Sequence, residues 1–128
     1  MRFLVMVKAS EDSESGAMAS AEDLAAMGRY NDELIKAGVL LAGEGLLASS
    51  RGALVKFTDG EPTVIDGPFT EAKELVAGFW LLDVKSKEEA IEWVKRVPCT
   101  DDVESNIEIR QVYEADDLID AATANHGE

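Results

Sequence analysis

The chain has 128 residues, 46% of them hydrophobic and 30% charged, which suits one soluble globular domain and leaves little room for a second core. Its 26 Asp and Glu against 12 Lys and Arg give a formal net charge of −14. That argues against nucleic acid or an anionic membrane surface as the main partner, because phosphate binding needs a dense basic face.

Cys99 is the single cysteine, which excludes an intrachain disulfide and a multi-thiolate metal site; the single histidine is His126. The negative charge is concentrated. Residues 10–23 hold five acids and no base, residues 114–128 hold five more and no base, and 24–113 hold 16 acids against 10 bases. The expectation is a domain over 1–113 with a solvated acidic loop near its start, followed by a loosely ordered acidic tail over 114–128. The apolar stretch Phe3 to Val7 is too short for a signal peptide or a membrane span, so the chain reads as cytoplasmic.

Residues 2–8 read as a strand apolar on both faces, with Phe3, Val5 and Val7 on one side and Leu4 and Met6 on the other. A loop over 9–19 follows. Ser20 is placed to cap a helix whose stripe is Leu24, Met27, Leu34 and Ile35, and Gly38 to end it in a left-handed cap. Asn31 on that stripe reads as a hydrogen-bonded boundary residue. A second extended stretch begins at Val39–Leu41 and is broken by Gly43-Glu44-Gly45. Residues 53–58 and 62–66 flank Asp59-Gly60 as a tight hairpin. After the Asp66-Gly67-Pro68-Phe69 turn, 75–84 predicts a central strand, apolar on both faces. Ser86 and Glu89 have capping-box spacing for a second helix, which buries Ala90, Ile91, Val94 and Val97 and stops at Pro98. Residues 105–113 give a last strand, with Ile107, Ile109 and Gln111 on one face.

The order is that of an α+β domain, a ferredoxin-like antiparallel sheet with two helices on one face. Two helices cover one side of a sheet whose main strands are apolar on both. The expected cover for the other side is a second copy of the chain, a homodimer.

The run from Ile65 through Asp66-Gly67-Pro68-Phe69 to Glu71, Lys73, Gly78 and Phe79 resembles the signature of the DGPF-domain proteins, part of the YciI-related group. Ala42-Gly43-Glu44-Gly45-Leu46, Leu82-Asp83-Val84 and Ala90-Ile91-Glu92-Trp93 agree with it, and the likeness runs over about residues 2–112. The chain departs from it at Ala72, where many members carry Thr. The resemblance implies a dimeric α/β-barrel type of assembly and an association of some members with sigma-factor systems. Enzymatic relatives use a His–Asp pair; His126 falls outside the matched region, so that scheme does not carry over.

Two carboxylates are the catalytic candidates. Asp66 is either a turn-former, folding onto backbone N–H groups, or an acid–base group at the mouth of a cleft; Glu71 and Lys73 follow it as ligand contacts. Glu44 sits between two glycines that allow close backbone approach, and a pocket shared with Asp66 would divide acid and base roles between them. Arg29, Tyr30 and Arg110 are candidate anion contacts, while Trp80 and Trp93 read as core or interface. No metal site or cofactor is expected: Walker, Rossmann and Ser-His-Asp patterns are absent. The functional expectation is a domain that binds a small molecule in a pocket near the dimer interface, where cofactor-independent lyase or isomerase acid–base chemistry is one use of the site and binding alone the other. The alternatives are a non-catalytic regulatory module in a transcriptional pathway and a purely structural interaction domain.

Overall fold

Strand alternation in the first seven-residue run decides the architecture. In a computed structural model describing residues 1–15, 20–69, 74–98 and 105–126, Arg2–Lys8 form β1, and Phe3 and Val5 are buried on one face. Glu11–Glu14 follow as a single helical turn, α1, capped by Ser10, where a loop was expected. Next come α2 (Ala21–Lys36), β2 (Leu40–Gly45), a 3-10 turn at Ser49–Arg51, and the hairpin strands β3 (Ala53–Thr58) and β4 (Glu61–Asp66). The chain closes with β5 (Val76–Asp83), α3 (Lys87–Val94), β6 (Ile107–Gln111) and α4 (Ala115–His126).

The main sheet runs β2-β5-β1-β6 with every neighbour antiparallel, which is the ferredoxin-like order. β1 and β5 are central, as their two-sided apolar pattern requires. β5 packs Gly78, Trp80 and Leu82 onto the face that carries Phe3, Val5, Ile107 and Ile109. Tyr30 and Leu34 from α2 and Ala90 from α3 close the core over that face. Leu4, Met6, Phe79 and Leu81 alternate onto the opposite face and are only half-buried.

The helix ends follow local chemistry. Ser20 Oγ accepts from the Asp23 N–H at 3.0 Å. Gly38 has φ +73° and completes a Schellman ending, in which Gly38 N–H donates to Ile35 O and Val39 N–H to Leu34 O. Ser86 Oγ accepts from Glu89 N–H at 3.1 Å, but the Glu89 carboxylate turns to the Lys85 N–H, one residue earlier than a capping box requires. Asp59 and Gly60 both have positive φ, so the hairpin turns as type I′.

Three expectations need correction. The inward stripe of α2 is Tyr30 and Leu34, buried, with Met27 and Asn31 half-buried beside them, whereas Leu24 and Ile35 are 60% and 59% exposed. At 100° per residue the last two lie roughly a quarter turn from Leu34, on the flank rather than the face. β2 does not break at Gly43-Glu44-Gly45 but pairs through it, with Gly43 opposite Trp80 and Gly45 opposite Gly78. The acidic tail is helical over Ala115–His126. Its start is held by Arg2, whose guanidinium donates to Glu114 at 3.0 and 3.2 Å, and by Asp117, which accepts from the Glu114 N–H.

Tyr30 ties the two core helices. Its hydroxyl donates to the Trp93 carbonyl at 2.7 Å, and burial pushes its pKa up to about 12 despite the nearby Arg96. Glu33 and Arg96 form an ion pair alongside it, with Arg96 stacked over Trp93. Tyr30→Phe removes one buried hydrogen bond while the Trp93 carbonyl keeps the Arg96 N–H. The expected cost is about 1 kcal/mol of unfolding free energy, measured by urea denaturation; an unchanged midpoint would contradict it.

Candidate functional site

A cleft of about 290 Å³ opens between α2 and the β2–β5 edge. Met27 and Asn31 line it from the helix and Trp80 and Val7 from the sheet, while Gly43, Gly45 and Gly78 form its floor. The glycines do two different things. A Cβ on Gly43 would sit 2.8 Å from Trp80 Cδ1, so that glycine seats the indole. A Cβ on Gly45 would meet nothing within 4 Å, so that glycine leaves open space.

Trp80 is fixed from two sides. Its ring meets Tyr30 edge-on, with centroids 5.5 Å apart and planes at 76°, and its Nε1–H donates to Asn31 Oδ1 at 2.8 Å. The bond to the indole commits Asn31's carbonyl oxygen and fixes its amide plane.

The Asp66-Gly67-Pro68-Phe69 turn, in which the Gly67–Pro68 peptide is cis, is a second cluster. Gly67 N–H donates to Gly52 O at 3.1 Å and Phe69 N–H donates to Ser49 Oγ at 3.0 Å. A Cβ on Gly67 would run into the Ser49 carbonyl, so only glycine passes there. Ser49 is held in turn by Glu14, which accepts from its N–H at 2.9 Å and from its hydroxyl. The hydroxyl bond is the larger cause holding the Glu14 carboxyl below its usual range, the backbone bond the lesser. One acid of the expected solvated loop is therefore an anchor.

The sequence-predicted residues are not gathered in one place. Glu44 borders the cleft, but it pairs with Phe79, and alternation puts its carboxylate on the face opposite Trp80. Asp66 ends β4, exposed, paired with Ala53 and outside the cleft lining. Tyr30 is buried with its hydroxyl committed to Trp93, so it offers no anion contact. Arg29 is exposed on α2 beyond the cleft, and Arg110 is exposed with its guanidinium on Glu108 at 3.2 Å. Glu71, Lys73 and Cys99 lie outside the described residues. Among the described residues no three His, Cys, Asp or Glu side chains cluster to hold a metal ion, and no helix is long and apolar enough to cross a membrane. Gly78 and Trp80 were missed as site residues. The available signal was a glycine inside an otherwise bulky central strand, which marks close approach or open space.

The sign of the Glu14 linkage follows from its lowered pKa. Its bond to Ser49 stabilises the fold above the ordinary glutamate value of 4.5 and is lost as pH falls through the lowered value. Wild-type protein should therefore lose more stability than Glu14→Gln as pH falls through and below 4.5, compared by urea midpoints; equal losses would show that the anchor carries no weight.

The YCII-related domain family matches residues 1–116. An uncharacterised protein of Rhizobium meliloti (strain 1021), R00369, is 32% identical over 88 residues, which is 69% of this chain and 68% of that protein. Among solved structures the chain is similar to the 5-chloro-2-hydroxyhydroquinone dehydrochlorinase of Burkholderia phenoliruptrix AC1100, determined with 2,5-dihydroxybenzoquinone. That likeness has 17% identity and a TM-score of 0.45, over 89% of this chain and 96% of that one. The family match over nearly the whole described domain and the Rhizobium relative agree: the chain belongs to the YCII-related domain family.

Proposed function

We propose that the protein binds a small molecule in the cleft between α2 and the β2–β5 edge. The observation that carries this reading is the open space above Gly45, walled by Trp80 and Met27 and left unfilled where the strand's other core positions are packed. Binding is favoured over acid–base catalysis there, because alternation turns the Glu44 carboxylate to the other face and Asp66 lies outside the cleft.

The second part of the reading is a homodimer through the uncovered sheet face. Leu4, Met6, Phe79 and Leu81 form its apolar centre. Charges rim it, with Lys8 and Arg110 both on Glu108 at 3.2 Å. An apolar centre with a polar rim is the anatomy of a protein interface. Glu44, on the same face as Phe79, would then lie at the dimer rim.

Two experiments test these readings. In ¹⁵N–¹H spectra recorded with a set of one- and two-ring fragments, at least one fragment should shift the Trp80 indole N–H saturably. Gly45→Val, whose Cβ meets nothing within 4 Å and whose methyls take up the open space, should abolish the shift; no fragment moving Trp80, or a shift unchanged by the valine, rejects the cleft. Sedimentation equilibrium should give twice the 13.8 kDa chain mass, and Met6→Glu, placing a charge in the apolar centre, should give the chain mass itself. A wild-type monomer at tens of micromolar would overturn the dimer.

A further inference from the structure

The polar groups of the cleft say which chemistry it accepts. Trp80 Nε1–H is spent on Asn31 Oδ1, so the indole offers a ligand its ring but no hydrogen bond. The same bond turns the Asn31 amide so that Nδ2 is left over, and that nitrogen has no hydrogen-bond partner among the described residues. The cleft lining therefore includes one side-chain amide donor, beside the Trp80 indole, the Met27 thioether and aliphatic groups, with Glu44 and Phe79 at its border.

Among the described residues Glu44 is the one charged residue of that lining, and strand alternation from Gly43 opposite Trp80 turns its carboxylate to the other face. A charged ligand would lose hydration with nothing to pair with, and a cation would also meet the positive end of the Asn31 N–H dipole. The floor is flat. Gly45 and Gly78 face each other across β2 and β5 with no side chain between them. A volume of about 290 Å³ is roughly twice that of a cavity that admits benzene.

We infer that the cleft takes a flat, uncharged compound of one or two rings carrying a hydrogen-bond acceptor, such as a carbonyl oxygen, at the edge that meets the Asn31 amide. This rests on the cleft being a binding site, as proposed above. The ring lies over the glycine floor against Trp80, and Asn31 acts as the specificity-determining residue.

Four probes of one ring size test it: acetophenone (uncharged, with an acceptor), ethylbenzene (uncharged, without one), benzoate (anionic) and phenyltrimethylammonium (cationic). Each is titrated into the full chain while the Trp80 indole and Asn31 side-chain amide signals are followed. Acetophenone should bind about five-fold more tightly than ethylbenzene, the factor expected of one net hydrogen bond, and both charged probes should bind more weakly than either. Asn31→Asp keeps an oxygen for the Trp80 indole and removes the donor. It should close that gap of about five-fold between acetophenone and ethylbenzene, whatever it does to both affinities together. Equal binding of acetophenone and ethylbenzene, or tighter binding of a charged probe, overturns the ligand class while the cleft stands. No saturable shift from any probe, or shifts that persist in Gly45→Val, overturns the cleft itself.

Discussion

The seat of the Trp80 indole is the constraint on which the rest depends. A ring of that size on a central strand has to be buried, and its N–H has to find an acceptor. Tyr30 meets its edge, Gly43 leaves the room beneath it, and Asn31 takes the N–H at 2.8 Å. Those three residues come from α2 and β2, so the indole fixes how the helix lies over the strand pair. Tyr30 then continues through its hydroxyl to Trp93, which joins α2 to the end of α3. The cleft is what remains where this packing stops: beyond Trp80, β5 carries Gly78 and β2 carries Gly45, and α2 comes down onto neither.

Much of this architecture could be read from local pattern, since each part needs only near neighbours along the chain. β1 and β5 announce their central position by being apolar on both faces, Asp59-Gly60 announces its hairpin, and Ser20, Gly38 and Ser86 announce their helix ends. Sequence spacing does less well where long-range packing decides. The face of α2 is set by Trp80, which selects Tyr30 and Asn31 over Leu24 and Ile35 although the latter pair is more apolar. Glu44 shows the same limit on a strand. A carboxylate between two glycines looks aimed inward, but a register in which Gly43 pairs with Trp80 sends it outward, and a one-residue slip would reverse the assignment. The acidic segments read as solvent-facing charge, yet Glu14 and Glu114 are each held by a specific partner distant in sequence.

The Asp66-Gly67-Pro68-Phe69 turn is the sharpest motif in the chain, and its contacts are architectural. Gly67 passes against the Ser49 carbonyl where a side chain would collide, and Phe69 N–H closes onto the Ser49 hydroxyl. Through Ser49 the turn reaches Glu14, so the end of β4, the 3-10 turn and α1 form one hydrogen-bonded unit. The cleft and this unit share an end of the sheet, where β1 leaves through Lys8, β2 through Gly45 and β5 enters at Val76.

That unit also explains how the hairpin persists. β3 and β4 form a sheet of two strands only, and Phe57 and Val64 on one of its faces are 69% and 66% exposed. A lone two-stranded hairpin is marginally stable in water, because it has little apolar surface to bury against the entropy of ordering it. Its type I′ turn fixes the far end, and the near end is pinned by Gly67 N–H to Gly52 and by the Ser49 contacts. The unfolded alternatives of the arm are thus restricted at both ends, which does work that burial would do in a packed strand. Glu14, one of five acids in a stretch without a base, contributes to that restraint from residues far earlier in the chain. The −14 charge is accordingly not all solvated surface: Glu14 and Glu114 use theirs to hold the fold.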